Sequence, residues 1–356
     1  PRRTLGAVRV TVRRAVLPRL AASALIQARF RSAWVLMDRT NEADDSGEHL
    51  FRHLREHRPD INAWFVIEPG TADWRRLRTE FKDRVVAYGS LRWQLLMFSC
   101  RHLISSHIDL SVHRPRVIAW VLAPGEPTWR FTFLQHGVIK DDLSSWLNTK
   151  AMDLFVTSTP AERASIVDDG TPYRFTSKEV KLTGLPRFDR LLEIAATLGP
   201  QDHDLILVAP TWRHGLLGPA APVTGHRQVR TGFRDSEYAR QWLAVLRSSE
   251  LAELASRHGL RIGFLPHPLL QPVLATLDLP DQVERLTFDG ARAQALFAGA
   301  AVLVTDYSSM AFNAAYVDRP VVYFQFDGAT INVGGQLGRK ATSITSATVS
   351  GRSPLR

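Results

Sequence analysis

An α/β fold in two domains is predicted by three features of this 356-residue chain. Short apolar runs alternate with helical periodicity almost throughout, the length suits two cores better than one, and five polar clusters each stand directly after an apolar run. Open parallel sheets place their ligand sites at the carboxyl ends of strands.

The first segment differs from the rest. Residues 1–31 hold eight arginines and no acid, so they carry eight of the ten net positive charges. On a helical projection Leu5, Val8, Val12 and Val16 share a face with Arg2, Arg9 and Arg13 beside it. That pattern suits a helix lying on an anionic membrane surface, and equally a linker helix with solvated arginines; Pro18 bends or ends it.

The body of the first domain, 32–196, reads as strands at Ala33–Met37, Ala63–Ile67, Val85–Tyr88, Leu103–Ser105, Val117–Val121, Phe131–Leu134, Leu154–Thr157 and Val180–Thr183. Helical patterns at His49–Glu56, Ala161–Val167 and Arg187–Ala196 lie between them. Gly199 and Pro200, within Ala196–Asp204, mark the domain boundary. The second domain, 197–327, repeats the alternation with strands at Leu205–Ala209, Arg261–Leu265, Val283–Phe288, Val302–Thr305 and Val321–Phe324. Its predicted helices are one long element, Glu237–His258, then Arg292–Ala298 and Met310–Val317. From Gly328 to Arg356 the chain is rich in Gly, Ser, Thr and Ala without periodicity, and reads as a loosely ordered tail.

Composition narrows the function. Hydrophobic content of 45% with 22% charged residues is that of a globular chain. The single cysteine, Cys100, excludes an intramolecular disulfide. No apolar run is long enough to span a membrane, and outside residues 1–31 no basic stripe with interleaved aromatics points to nucleic acid. Zinc motifs, a GxxxxGK[ST] phosphate loop and a GxSxG elbow are all absent from the sequence, so no metal and no cofactor is expected.

The five clusters are Gln135-His136-Gly137, Gly184-Leu185-Pro186-Arg187, Pro210-Thr211-Trp212-Arg213, Pro266-His267-Pro268 and Asp306-Tyr307-Ser308-Ser309. Singly, each has a plain structural explanation: a turn histidine, a strand-to-helix loop, a surface arginine on an aromatic ring, an N-cap. Together, two histidines, an arginine and hydroxyls at a helix start suit a phosphate-rich ligand, with a nucleotide-diphosphate donor on one side of a cleft and an acceptor on the other.

The ordered set FLQHG with Lys140 and Asp141 behind it, LTGLPRFD, APTWR, FLPHP and VTDYSS…AYVDRPVVYF resembles the CDP-glycerol glycerophosphotransferases of teichoic acid and capsule synthesis. MDRTNEADDSGEHLFRHL and ISSHID extend the resemblance to about residues 33–327. It implies a GT-B-like fold, two Rossmann-type domains facing a cleft, and peripheral attachment to the inner, cytoplasmic face of the bacterial cell membrane through basic helices. It further implies transfer of glycerol phosphate or a related polyol phosphate from CDP-glycerol to a hydroxyl of a lipid-linked or polymeric acceptor, with release of CMP. His136 corresponds to the catalytic base and His267 to a second catalytic histidine at the donor pyrophosphate. Thr211, Arg213, Asp306, Ser308 and Ser309 fall on the donor-binding segments, while Asp38, Asp44, Asp45, His107, Asp109, Arg187 and Asp189 are acceptor-side or structural. The stretch after Asp327 departs from the family pattern, which keeps open an inactive nucleotide-binding member; a UDP-sugar-using GT-B glycosyltransferase or epimerase is the other alternative.

Overall fold

The structure, a computed structural model, describes residues 16–115, 118, 129–218, 228–287 and 290–328. The chain divides into two compact units, Pro1–Val138 with Trp146–Arg190, and Ile139–Ser145 with Leu191–Arg356. The predicted tail, Gly328 apart, and the first fifteen residues of the basic segment lie outside the described residues. The rest of that segment is helical over 16–21, bends, and is helical again over Ala24–Phe30.

Unit one is built on β1 (Ala33–Met37), β2 (Ala63–Ile67), β3 (Val85–Ala87), β4 (Cys100–Ser105), β5 (Arg130–Phe133), β6 (Leu154–Thr157) and β7 (Val180–Leu182). They form one sheet in the order β3-β2-β1-β4-β5-β6-β7, parallel at every pairing. Strands covered on both faces need continuous apolar sequence, and β2, Ala-Trp-Phe-Val-Ile, is buried at all five residues. The Ser46–His57 helix packs on this sheet through Phe51 and Leu54, and Phe51 meets the ring of Phe65 at 5.5 Å.

Unit two repeats the plan with β8 (Leu205–Val208), β9 (Arg261–Phe264), β10 (Val283–Arg285), β11 (Ala300–Thr305) and β12 (Val321–Tyr323), again all parallel, in the order β10-β9-β8-β11-β12. Trp242 and Leu246 of the Glu237–Leu246 helix join Ile206, Val208, Ile262 and Phe264 in its core. Each such side chain contributes about 1.5–3 kcal/mol when fully buried.

Two predicted elements differ. The long helix 237–258 is two helices, Glu237–Leu246 and Ser249–His258. Ser248 takes an extended conformation between them and its hydroxyl accepts from the Leu251 N–H, a cap that starts a new helix where periodicity alone runs on. The predicted strand Val117–Val121 lies outside the described residues except Ile118, which is helical.

Candidate active site

In unit one the strand order reverses between β1 and β4, so the chain leaves those neighbouring strands in opposite directions and opens a crevice at their carboxyl ends. Asp38 follows β1, while Ser106 and His107 follow β4. Asp38 is 1% exposed. Its Oδ1 accepts from the Ser106 hydroxyl at 2.6 Å and the Gly47 N–H at 2.8 Å, and its Oδ2 accepts from the Asp45 and Glu48 N–H groups, each at 3.2 Å. The carboxyl thus fills the first turn of the Ser46–His57 helix, whose leading N–H groups have no partner within the helix. Burial and the neighbouring Asp45 charge nevertheless push its pKa up to about 7.

The Asp38–Glu48 loop is held by charge as well. Asp45 caps the helix through Ser46 N–H at 2.7 Å and meets Arg187 at 3.3 Å. Asp44, in a left-handed conformation at φ 69°, lies 3.2 Å from His49 Nε2; burial raises its pKa, with His49 opposing. Burial alone would likewise raise Glu48, but Arg76 at 2.6 Å and Arg52 at 2.7 Å outweigh it and hold Glu48 down at about 2.

His136 comes from β5, the strand beside β4. The residue before it, Gln135, is buried with φ 64°, a conformation that costs an L-residue roughly 1–2 kcal/mol. Its side-chain amide donates to the Val156 carbonyl at 2.5 Å and to Glu162 at 3.2 Å, which offsets that cost and turns the chain so that the next residue faces outward. His136 is exposed, and its ring stacks on that of His107, with centroids 4.8 Å apart and planes 13° from parallel. Arg187 donates to the His136 carbonyl. Although solvent reaches His136, the protein packed behind it lowers its pKa by desolvation; Arg187 and Arg39 add to this, while Asp45 and Asp109 oppose it. A neutral imidazole poised to take a proton results.

The structure therefore brings Asp38, Asp45, His107, His136 and Arg187 together, with Asp44 on the same loop. Asp109 is exposed and acts on His136 through its charge; Asp189 is exposed in the first turn of the Pro186–Ala196 helix. Ser106 and Gly47 were not singled out from sequence, although Ser106 stands inside ISSHID; Gln135 was named in the cluster with His136 but given no role. A Cβ on Gly47 would sit 2.5 Å from the Met37 carbonyl and 2.6 Å from Asp38 Oδ1, so this close approach requires glycine.

Unit two places a second buried aspartate at its own reversal point, between β8 and β11. Asp306, wholly buried after β11, accepts from the backbone N–H groups of Thr211 at 2.9 Å and Tyr307 at 2.7 Å, and pairs with Arg213 at 2.8 Å. Asp327 takes the other side of Arg213 at 2.7 and 3.1 Å, and the guanidinium lies over Tyr238 and Tyr307. Burial works against the Arg213 charge, but the two carboxylates outweigh it and raise its pKa. Any anion meeting Arg213 competes with those carboxylates. Asp306 itself reaches no solvent, so its influence on a ligand passes through Arg213 and the Thr211 backbone.

His267 Nδ1 accepts from the Leu269 N–H at 3.2 Å, leaving the proton of the neutral ring on Nε2, and its ring lies 6.2 Å from that of Trp212. Ser308 Oγ accepts from the Met310 N–H at 3.1 Å, capping the turn before the short Ala311–Tyr316 helix, and Ser309 is half-buried beside it. Among the described residues no group of three His, Cys, Asp or Glu is arranged to hold a metal ion.

Known proteins share this plan. The chain is 30% identical over 318 residues to the minor teichoic acid biosynthesis protein GgaB of Bacillus subtilis strain 168, covering 89% of this chain but only 34% of GgaB. It thus spans about a third of that relative's length. Structures of the wall teichoic acid polymerase TagF superpose with a TM-score of 0.58 at 16% identity, covering 93% of this chain and 80% of the TagF chain, so the fold is the GT-B-like arrangement of parallel sheets. UDP-GlcNAc 2-epimerase from Neisseria meningitidis follows, with a TM-score of 0.50 at 11% identity and 82% of each chain covered. The family model for CDP-glycerol:poly(glycerophosphate) glycerophosphotransferase matches residues 22–331, and the chain belongs to that family.

Proposed function

We propose that this chain transfers glycerol phosphate, or a related polyol phosphate, from CDP-glycerol to a hydroxyl of a lipid-linked or polymeric acceptor, releasing CMP, in teichoic acid or capsule synthesis. Family membership carries this reading, and an accessible histidine held neutral by its surroundings supports it. His136 removes the proton of the acceptor hydroxyl. The oxygen attacks the phosphorus that bears the glycerol, the bond from that phosphorus to the CMP oxygen breaks, and CMP departs with the electron pair. His267 donates from Nε2 to the pyrophosphate oxygens, and Arg213 with the Ser308–Ser309 turn stabilises the charge that accumulates on the leaving group. Such transfer depends on positioning and charge stabilisation more than on covalent help from the protein.

The basic segment 1–31 brings the chain to an anionic membrane surface on the cytoplasmic side, where a lipid-linked acceptor resides. No helix among the described residues is long and apolar enough to cross a membrane. Loss of vesicle binding on deleting residues 1–31 supports the anchor; undiminished binding removes it.

Phosphorus NMR of the 356-residue chain with CDP-glycerol and a glycerol-phosphate-primed lipid tests the reaction. Joint appearance of CMP and a new phosphodiester establishes transfer. CDP-glycerol binding without either product leaves an inactive binding module, and preference for UDP over CMP moves the site toward UDP-sugars.

A further inference from the structure

The sheet reversal of unit one contains a hydrogen-bonded chain with no place in the donor chemistry. It starts at the N-terminal turn of the Ser46–His57 helix, whose N–H groups converge on Asp38. It continues through the Ser106 hydroxyl, 2.6 Å from Asp38 Oδ1 and 3.0 Å from His107 Nδ1, and ends where His107 lies flat against His136. Ser106 is fully buried. Ser105 Oγ accepts from the His107 N–H at 3.0 Å and donates to the Asp38 carbonyl at 3.1 Å, so backbone and ring of His107 are both tied to Asp38.

A hydroxyl has one hydrogen to give. Asp38 already faces three backbone N–H groups, and above its pKa of about 7 it is a carboxylate that can only accept. The Ser106 hydrogen therefore goes to Asp38, and the Ser106 oxygen must accept from His107 Nδ1–H. With Asp38 ionised, that fixes the His107 tautomer: Nδ1 protonated, Nε2 bare. Burial lowers the His107 pKa well below the usual histidine value, and His136, Arg39 and Arg187 add to this, so the ring stays neutral when its neighbour takes up a proton.

We propose that Ser106 is a positioning residue for the transfer: it locks the tautomer and plane of His107, and the neutral His107 ring in turn fixes the plane of His136, the base. The proposal rests on the reading of His136 as base given above. It assigns a role to the second serine of ISSHID, and it explains why an imidazole rather than an apolar ring backs the catalytic one: His107 is tethered at Nδ1, whereas a phenyl ring has nothing for Ser106 to hold.

The test is nitrogen NMR of the imidazoles in the 356-residue chain labelled with ¹⁵N-histidine, combined with steady-state CMP release. In the native chain well above pH 7, where Asp38 is ionised, His107 is expected as the Nδ1–H tautomer. In Ser106→Ala that signature gives way to a tautomer mixture, and kcat falls about 10–100-fold, as for other residues that orient a functional histidine, with KM for CDP-glycerol unchanged. In a His136→Ala background the same substitution has no further effect on turnover, since the two act in one unit. An Nε2–H tautomer in the native chain well above pH 7 overturns the proposal without any variant. So does a folded Ser106→Ala chain that keeps native kcat. Failure of the parent reading looks different: no transfer from CDP-glycerol at all, with the His107 tautomer still read from the spectrum.

Discussion

Arg213 Nη2 stands 2.8 Å from Asp306 Oδ2 where β8 and β11 part, with an aspartate that reaches no solvent. A buried carboxylate without a cation is costly, and the pair is completed by Asp327 and by the backbone N–H groups of Thr211 and Tyr307. This arrangement makes the end of the unit-two sheet stiff before any ligand arrives. Asp38 occupies the corresponding place in unit one with N–H groups and a serine in place of the arginine.

Arg213→Ala is expected to cost about 3–5 kcal/mol of stability, because it strands Asp306 in the interior. Urea unfolding measures it, and Arg213→Ala with Asp306→Asn recovers part of the loss. A change under 1 kcal/mol would show that Asp306 is satisfied without Arg213.

Gly47→Ala tests the close approach at Asp38. The added methyl meets the Met37 carbonyl and the Asp38 carboxyl, so a loss of about 1–3 kcal/mol is expected, with turnover reduced because His107 is tied to Asp38. Thermal unfolding and CMP release together check it; a native-like melting temperature and rate would show that the loop gives way freely.

The strands were legible because parallel strands, covered on both faces, are written as uninterrupted apolar runs closed by polar residues; β1, β2 and β6 fall on the predicted bounds. The polar clusters were legible for the complementary reason, since each begins where a strand stops. Strand order was not, nor were the partners of the functional groups. Ser106 and Asp38 are 68 residues apart, Arg213 and Asp327 are 114 apart, and no local pattern records such meetings. The left-handed Gln135 was hidden too, for a glutamine carries no turn signature, and its conformation is held by Val156 and Glu162 from the next strand and helix.

Glu48 makes the Asp38–Glu48 loop acid-labile. Its pKa is depressed in the folded chain, from 4.5 to about 2, so its contribution is present above pH 4.5 and is lost as pH falls toward 2. The linkage amounts to roughly 3 kcal/mol. Glu48→Gln is expected to be less stable than the native chain at pH 7 and to show a flatter loss of stability between pH 4.5 and 2. Parallel pH curves for the two chains would show that Glu48 does not set the acid sensitivity of the loop.

CMP release from His136→Ala at saturating CDP-glycerol and acceptor decides whether His136 is the base of a phosphotransfer. The expected rate is about 10²–10⁴-fold below that of the native chain, with CDP-glycerol affinity by calorimetry nearly unchanged. A His136→Ala chain that releases CMP within twofold of the native rate would contradict it.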